Sequence, residues 1–198
     1  EKDHIMIKAI LLAGGMTVAL AGASSALTIG PATGTCQAGA TVPGGIECVV
    51  GDRRNIGNVN LGSADNAFYS LGRGGGVATF EIAPNFTGPI SVVEVTFGAS
   101  YPDESALVEV SLGGIDWIGV GSATNSGNSN GSPLGGTSGF TVNGIFDMIR
   151  FTDTSTATRG DGFDLDAFSV AAVPLPAGGL LLLGGLGALG FVRRRKFA

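Results

Sequence analysis

Ser105-Ala-Leu-Val-Glu-Val-Ser-Leu-Gly-Gly-Ile-Asp-Trp-Ile-Gly-Val120 decides how this chain is read. Ala106, Val108, Val110 and Leu112 fall on one parity, and Leu107, Glu109 and Ser111 on the other. That two-residue period places one apolar face of a strand against a core. Gly113-Gly114 then supplies two residues that tolerate positive φ, and Ile115–Val120 returns as the second arm of a hairpin. The same alternation recurs upstream, where Ala78, Phe80 and Ile82 oppose Val77, Thr79 and Glu81. Further strands are predicted over 90–97, 145–152 and 163–171, with Asn143-Gly144 and Asp161-Gly162 as turn pairs. No stretch of 27–172 carries helical periodicity. Seven or more short strands at this spacing predict an all-β ectodomain folded as a β-sandwich.

Composition fits that expectation. Glycine fills 35 of 198 positions, far above the roughly 7% of an average protein, and much of it falls at turns. Residues 27–176 hold 14 acids and 5 bases, a balance of −9. Such a domain repels phosphate backbones, so no nucleic-acid partner is expected. The single histidine is His4, in the leader described next. A mature domain without it has no His-based general base, zinc site or Ser-His-Asp triad.

Both ends are apolar. Lys8 precedes an uncharged run from Ala9 to Ala23, and Ser24-Ser25-Ala26 places small residues before Leu27, the pattern of a cleaved secretory signal peptide over 1–26. Met6 is a candidate natural start within it. At the other end Val173-Pro174-Leu175-Pro176-Ala177 leads into Gly178–Val192, made only of Gly, Leu, Ala, Phe and Val. Arg193, Arg194, Arg195 and Lys196 follow. As a helix, 177–192 would span about 24 Å, near the lower limit for a transmembrane helix. The basic cluster would stay on the cytoplasmic side.

This tripartite tail, residues 173–198, resembles the VPLPA-CTERM sorting signal, a variant of the PEP-CTERM class. The resemblance implies processing by an exosortase, a membrane-embedded transpeptidase-like partner, with cleavage near Val173–Ala177. It implies a passing stay in the inner membrane, then delivery to the surface or extracellular matrix of a Gram-negative bacterium that makes exopolysaccharide. The middle region, through Tyr69-Ser-Leu-Gly-Arg-Gly-Gly75 and the closing strand Gly162-Phe-Asp-Leu-Asp-Ala-Phe168, resembles the galactose-binding-like jelly-roll modules of bacterial surface proteins. Together they imply an exported structural or adhesive protein with a polysaccharide partner, in exopolysaccharide or biofilm. A non-catalytic carbohydrate-binding module is the alternative, and a secreted hydrolase the third reading.

Several residue groups carry possible chemistry. Cys36 and Cys48 are the only cysteines, and export to an oxidising compartment predicts a disulfide between them. Asp164 and Asp166 share one strand face, where two carboxylates repel unless a cation or an arginine intervenes. A calcium ion held with Asp161 would answer that repulsion. The jelly-roll resemblance adds Asp65 or Asn66 as further ligands of a structural calcium. The competing reading is a pair of solvent-facing acids, or partners for Arg150 or Arg73. Trp117, Tyr69 and Tyr101 are candidates for a sugar-stacking platform, set against ordinary core packing. Gly72-Arg73-Gly74-Gly75-Gly76 lacks phosphate-loop spacing and is read as a turn. Asp103-Glu104 is read as a solvated pair, and 121–139 as a low-complexity connector. No pair of carboxylates is spaced convincingly for catalysis, so no enzyme is predicted.

Overall fold

The computed structural model describes residues 26–35, 53, 55–73, 75–96, 103–125, 136–156 and 162–174. These residues form eight strands: β1 (Thr28–Thr35), β2 (Asn60–Leu61), β3 (Tyr69–Ser70), β4 (Val77–Glu94), β5 (Ser105–Ser111), β6 (Ile118–Thr124), β7 (Thr137–Asp153) and β8 (Asp164–Ala172). The helical structure among them is one 3-10 turn, Ile56–Asn58, capped by Asn55, whose side chain accepts the Gly57 amide. The predicted signal-peptide and transmembrane helices lie outside the described residues, as do Cys36 and Cys48. Among the described residues no helix is long and apolar enough to cross a membrane.

The strands join in the order β2-β8-β4-β7-β5-β6, with β1 added to β4 and β3 to β8. Two strands make this one continuous sheet into two layers. The first half of β4, with β1, the second half of β7, β5 and β6, forms one layer. The second half of β4, with β8 and the first half of β7, forms the other. Both long strands change layer through irregularities, at 81–90 in β4 and opposite them at 142–148 in β7. Extra residues at such bulges bend a strand and sharpen its twist. The bend in β4 includes a cis Ala83–Pro84 bond.

The layers meet through aromatic rings. Phe80 of β4 and Phe151 of β7 come from the first layer, and Phe168 of β8 from the second. Their centroids lie 5.1 Å (Phe80–Phe168) and 5.4 Å (Phe151–Phe168) apart. All three are essentially inaccessible, with Ala78, Ile82, Val108, Val110, Ile149 and Leu165 around them. Offset and tilted rings at this spacing attract beyond their area burial. The fold is a β-sandwich, and the alternation at 77–82 and 105–110 points its apolar parity into the core as expected.

Several boundaries differ from the expectations. The segments 77–82 and 90–97 are not separate strands, because β4 runs through its bend from Val77 to Glu94. Asn143-Gly144 is not a turn. It lies inside β7, and Gly144 (φ +145°) sits at the bend where that strand changes layer. The ends of the predicted connector, 121–124 and 137–139, are strand residues of β6 and β7. In the hairpin, Gly113 and Gly114 adopt φ of +76° and +74° as the turn requires. The return strand begins at Ile118 rather than Ile115. Leu112 has the inward parity, but β5 ends at Ser111, and the chain is already turning at Leu112. Ser111 is buried instead and Leu112 is exposed.

Strand pairing sorts the connections to two ends. The bends of β4 and β7, the β5–β6 turn, the start of β1 (Thr28 opposite Ala83) and the end of β8 (Ala172 opposite Phe86) lie together. We call this the hairpin end. Both ends of β4 and of β7, the starts of β5 and β8 and the end of β6 lie at the other, the loop end.

Candidate functional site

On the solvent side of the first layer, Glu109 of β5 stands opposite Arg150 of β7. Arg150 Nε donates to Glu109 Oε2 at 2.7 Å. The Arg150 guanidinium in turn lies 4.1 Å above the centroid of the Trp117 ring, where the chain re-enters β6. A cation over an indole face is attracted by the ring quadrupole, more so when partly desolvated. Here the Glu109 and Arg150 side chains are 14% and 28% exposed. Among the described residues, the two terminal amino groups of Arg150 have no hydrogen-bond partner. They remain as fixed donors beside a partly exposed aromatic ring. Chemically, this is a small stacking surface with directional donors and no nucleophile.

The other predicted residues are not gathered around Trp117. Tyr69 is buried in β3, where a Cβ added to Gly34 would lie 2.5 Å from its hydroxyl, so it offers no stacking face. Tyr101 lies outside the described residues. Asp164 and Asp166 are both fully buried, which overturns their reading as solvent-facing acids. Arg150 is engaged by Glu109, not by either of them.

Asp166 meets the two residues named with it, Asp65 and Asn66, through their backbones. Asp65 N–H donates to Oδ1 at 3.1 Å and Asn66 N–H to Oδ2 at 3.0 Å. The loop is further closed by Ala67 N–H donating to Asp65 Oδ1, with Asn66 at φ +70°. Burial pushes the Asp166 carboxyl above the ordinary aspartate range, and the two amide donors only partly offset this. Asp161 lies outside the described residues. Among the described residues, no three His, Cys, Asp or Glu side chains gather as a metal-binding group. Of the sorting motif, Val173 and Pro174 are described, and Val173 N–H donates to the Asn85 carbonyl at 2.9 Å. Leu175, Pro176, Ala177 and the Arg193–Lys196 cluster lie outside.

Sequence pattern alone misses a set of buried acids at the loop end. Glu104, expected to be solvated beside Asp103, is buried, and its Oε1 accepts the Gly162 amide at 3.1 Å. Asp153 Oδ1 accepts both the Phe163 amide at 3.1 Å and the Ser155 hydroxyl at 2.6 Å. Glu94 accepts the Thr96 hydroxyl. One signal exists for the last of these. Glu94 continues the inward parity of Ile90 and Val92, so alternation places its carboxylate inside.

No family model and no curated protein matches this sequence. Among solved structures, the chain is similar to the CBM32 of AlyQ in complex with 4,5-unsaturated mannuronic acid. Identity is 12% and the TM-score 0.49, over 74% of this chain and 97% of that one. It is also similar to the family 32 carbohydrate-binding module from Streptococcus pneumoniae EndoD, at 9% identity and a TM-score of 0.46, over 74% and 96%. A truncated AlyQ with CBM32 and alginate lyase domains matches at 14% identity and a TM-score of 0.49. This chain covers 34% of that longer one, about a third of its length.

Proposed function

We propose that this chain is an exported, surface-associated β-sandwich that acts by binding rather than turnover, and that its ligand is a carbohydrate. The observation that carries the reading is the partly exposed Trp117 ring with Arg150 fixed over it by Glu109. Sugar rings present apolar C–H faces that stack on indole and hydroxyls that accept from guanidinium donors. A glycan array probed with the protein, with and without calcium, tests it. Retention without loss of ligand, abolished by Trp117→Ala and weakened by Arg150→Ala, is the expected result. Absence of any retention would leave a purely structural matrix role. Consumption of a glycan would make the protein a hydrolase.

The address is a second part of the proposal. Residues 1–26 are read as a signal peptide and 173–198 as an exosortase-type sorting signal that holds the chain in the inner membrane until it is processed. Its destination is the surface or exopolysaccharide matrix. Mass spectrometry of the mature surface protein should find neither 1–26 nor the Arg193–Ala198 end. Recovery of an intact basic tail from the surface would make the segment a plain anchor. The same spectrum, taken without reductant, reads whether Cys36 and Cys48 are joined. The calcium reading of Asp161, Asp164, Asp166, Asp65 and Asn66 has its own measurement. A higher Tm at millimolar calcium carries it, and an unchanged Tm removes it.

A further inference from the structure

The large hydrophobic side chains that stand exposed among the described residues are Leu112 (58%), Ile115 (85%), Ile118 (57%) and Ile145 (51%). They come from two separate segments of the sequence yet occupy one end of the sandwich. The β5–β6 turn is held against β7 by Gly113 N–H donating to Asp147 Oδ1 at 2.8 Å, two residues from Ile145. Ser111 pairs with Met148, which brings Leu112 to the same place. Single exposed aliphatics are ordinary on a protein surface, but a cluster of them marks a contact.

The path of the chain bears on what that contact is. Phe146, next to Ile145, pairs with Phe86, and Phe86 pairs with Ala172. Val173 is then fastened to Asn85. The chain therefore leaves the sandwich at the hairpin end, beside the apolar cluster. Three residues after Pro174 the sequence enters the uncharged run Ala177–Val192. We infer that the hairpin end is a bilayer-contacting surface: Leu112, Ile115, Ile118 and Ile145 dip into the interfacial layer of the membrane in which that run is embedded. This rests on the membrane reading of the tail proposed above.

A second copy of the chain is the poorer occupant. A stable protein interface buries roughly 800 Å² and 20–30 residues per partner, many more than these four side chains and their turn provide. Charge further narrows the lipid. The turn Leu112–Ile118 carries Asp116 and no base, Asp147 stands beside it, and Arg150 is already paired with Glu109. An acidic rim favours zwitterionic over anionic headgroups. Trp117, at the junction between hairpin end and sheet face, suits the same boundary by its amphipathic ring. The Glu109–Arg150 pair lies one step further from the end, on the sheet face.

The chain has one tryptophan, so Trp117 emission reports this end alone. The full-length chain is reconstituted into phosphatidylcholine vesicles with and without brominated acyl chains, and flotation and fluorescence are read together. The expected result is a chain that floats and whose Trp117 emission is quenched by bromolipid. Leu112→Ser/Ile115→Ser should float equally and melt at the same temperature but lose at least half the quenching, and Ile145→Ser should lose a smaller share. Added phosphatidylglycerol should reduce quenching in the wild type. A chain that floats unquenched overturns the bilayer contact and leaves the tail reading standing. Equal quenching in the double variant also overturns it, as does a blue shift without quenching, which would mark self-association. A chain that does not float overturns the tail reading and the inference with it.

Discussion

The two ends of this sandwich solve opposite problems. At the loop end, carboxylates of Glu104 and Asp153 are buried and accept the amides of Gly162 and Phe163. There, polar groups from distant segments hold irregular backbone in place. At the hairpin end, apolar side chains of Leu112, Ile115, Ile118 and Ile145 face outward, and the hydrogen bond that holds the turn, the Gly113 amide donating to Asp147, is exposed rather than buried. Burying a charge costs unless hydrogen bonds compensate, so the loop end is fixed by its own internal network. An exposed aliphatic costs the fold almost nothing, so the hairpin end is free to vary for contact. Stability should therefore reside at one end and partner choice at the other.

Predictions can break this contrast, beginning with the largest effect. Gly162 has φ +89°, and a Cβ there would lie 2.5 Å from the Gly72 carbonyl carbon and 2.7 Å from Arg73 N. Gly162→Ala should cost about 3 kcal/mol or more through left-handed strain plus backbone overlap. Chemical denaturation measures it, and a near-neutral result would mean the loop end is not rigid. Asp166→Ala, in β8 of the second layer, leaves the Asp65 and Asn66 amides without their acceptor. It should cost about 2 kcal/mol.

Ser111, at the end of β5 nearest the turn, is buried and its hydroxyl finds no partner among the described residues. Ser111→Ala should therefore be neutral or stabilise by up to about 1 kcal/mol, a gain readable as a higher Tm. Asp166 also gives a pH signature. Its folded carboxyl titrates above the ordinary aspartate range because of burial. Ionisation is thus harder in the folded chain than in the unfolded one. The stability of the wild type relative to Asp166→Asn should fall as pH rises through the window above the unfolded value, and be level below it. A difference that grows with pH would refute the burial effect. The smallest stability effect belongs to the exposed turn, where Leu112→Ser and Ile115→Ser should each shift stability by under about 0.5 kcal/mol. A large loss there would show that these side chains serve the fold.

Much of this fold is legible in the order of residues. Ala78, Phe80 and Ile82 announce their burial by period alone, because side chains in a strand alternate between faces whatever surrounds them. Gly113-Gly114 announces the turn because few other pairs accept two positive φ values. Asn143-Gly144 carries the same chemistry yet lies inside a strand. Positive φ serves a bulge as well as a turn, and only pairing across β4 shows which. Tyr69, Glu104, Asp164 and Asp166 escape a reading of pattern for a related reason. Polar or amphipathic residues are expected outside, and the carboxylates of Glu104 and Asp166 are buried against backbone amides brought in from segments distant in sequence. For Asp166 that segment lies 100 residues away.

Alone, then, the sequence determined the class of fold, the main hairpin and the acidic balance, since periodicity, turn chemistry and composition are local properties. Tertiary structure decided which acids are buried and that β4 and β7 each serve both layers. It also set Arg150 over Trp117 and gathered four scattered aliphatics beside the point where the chain leaves the sandwich. Those outcomes depend on long-range pairing register, and register is set by all the strands together.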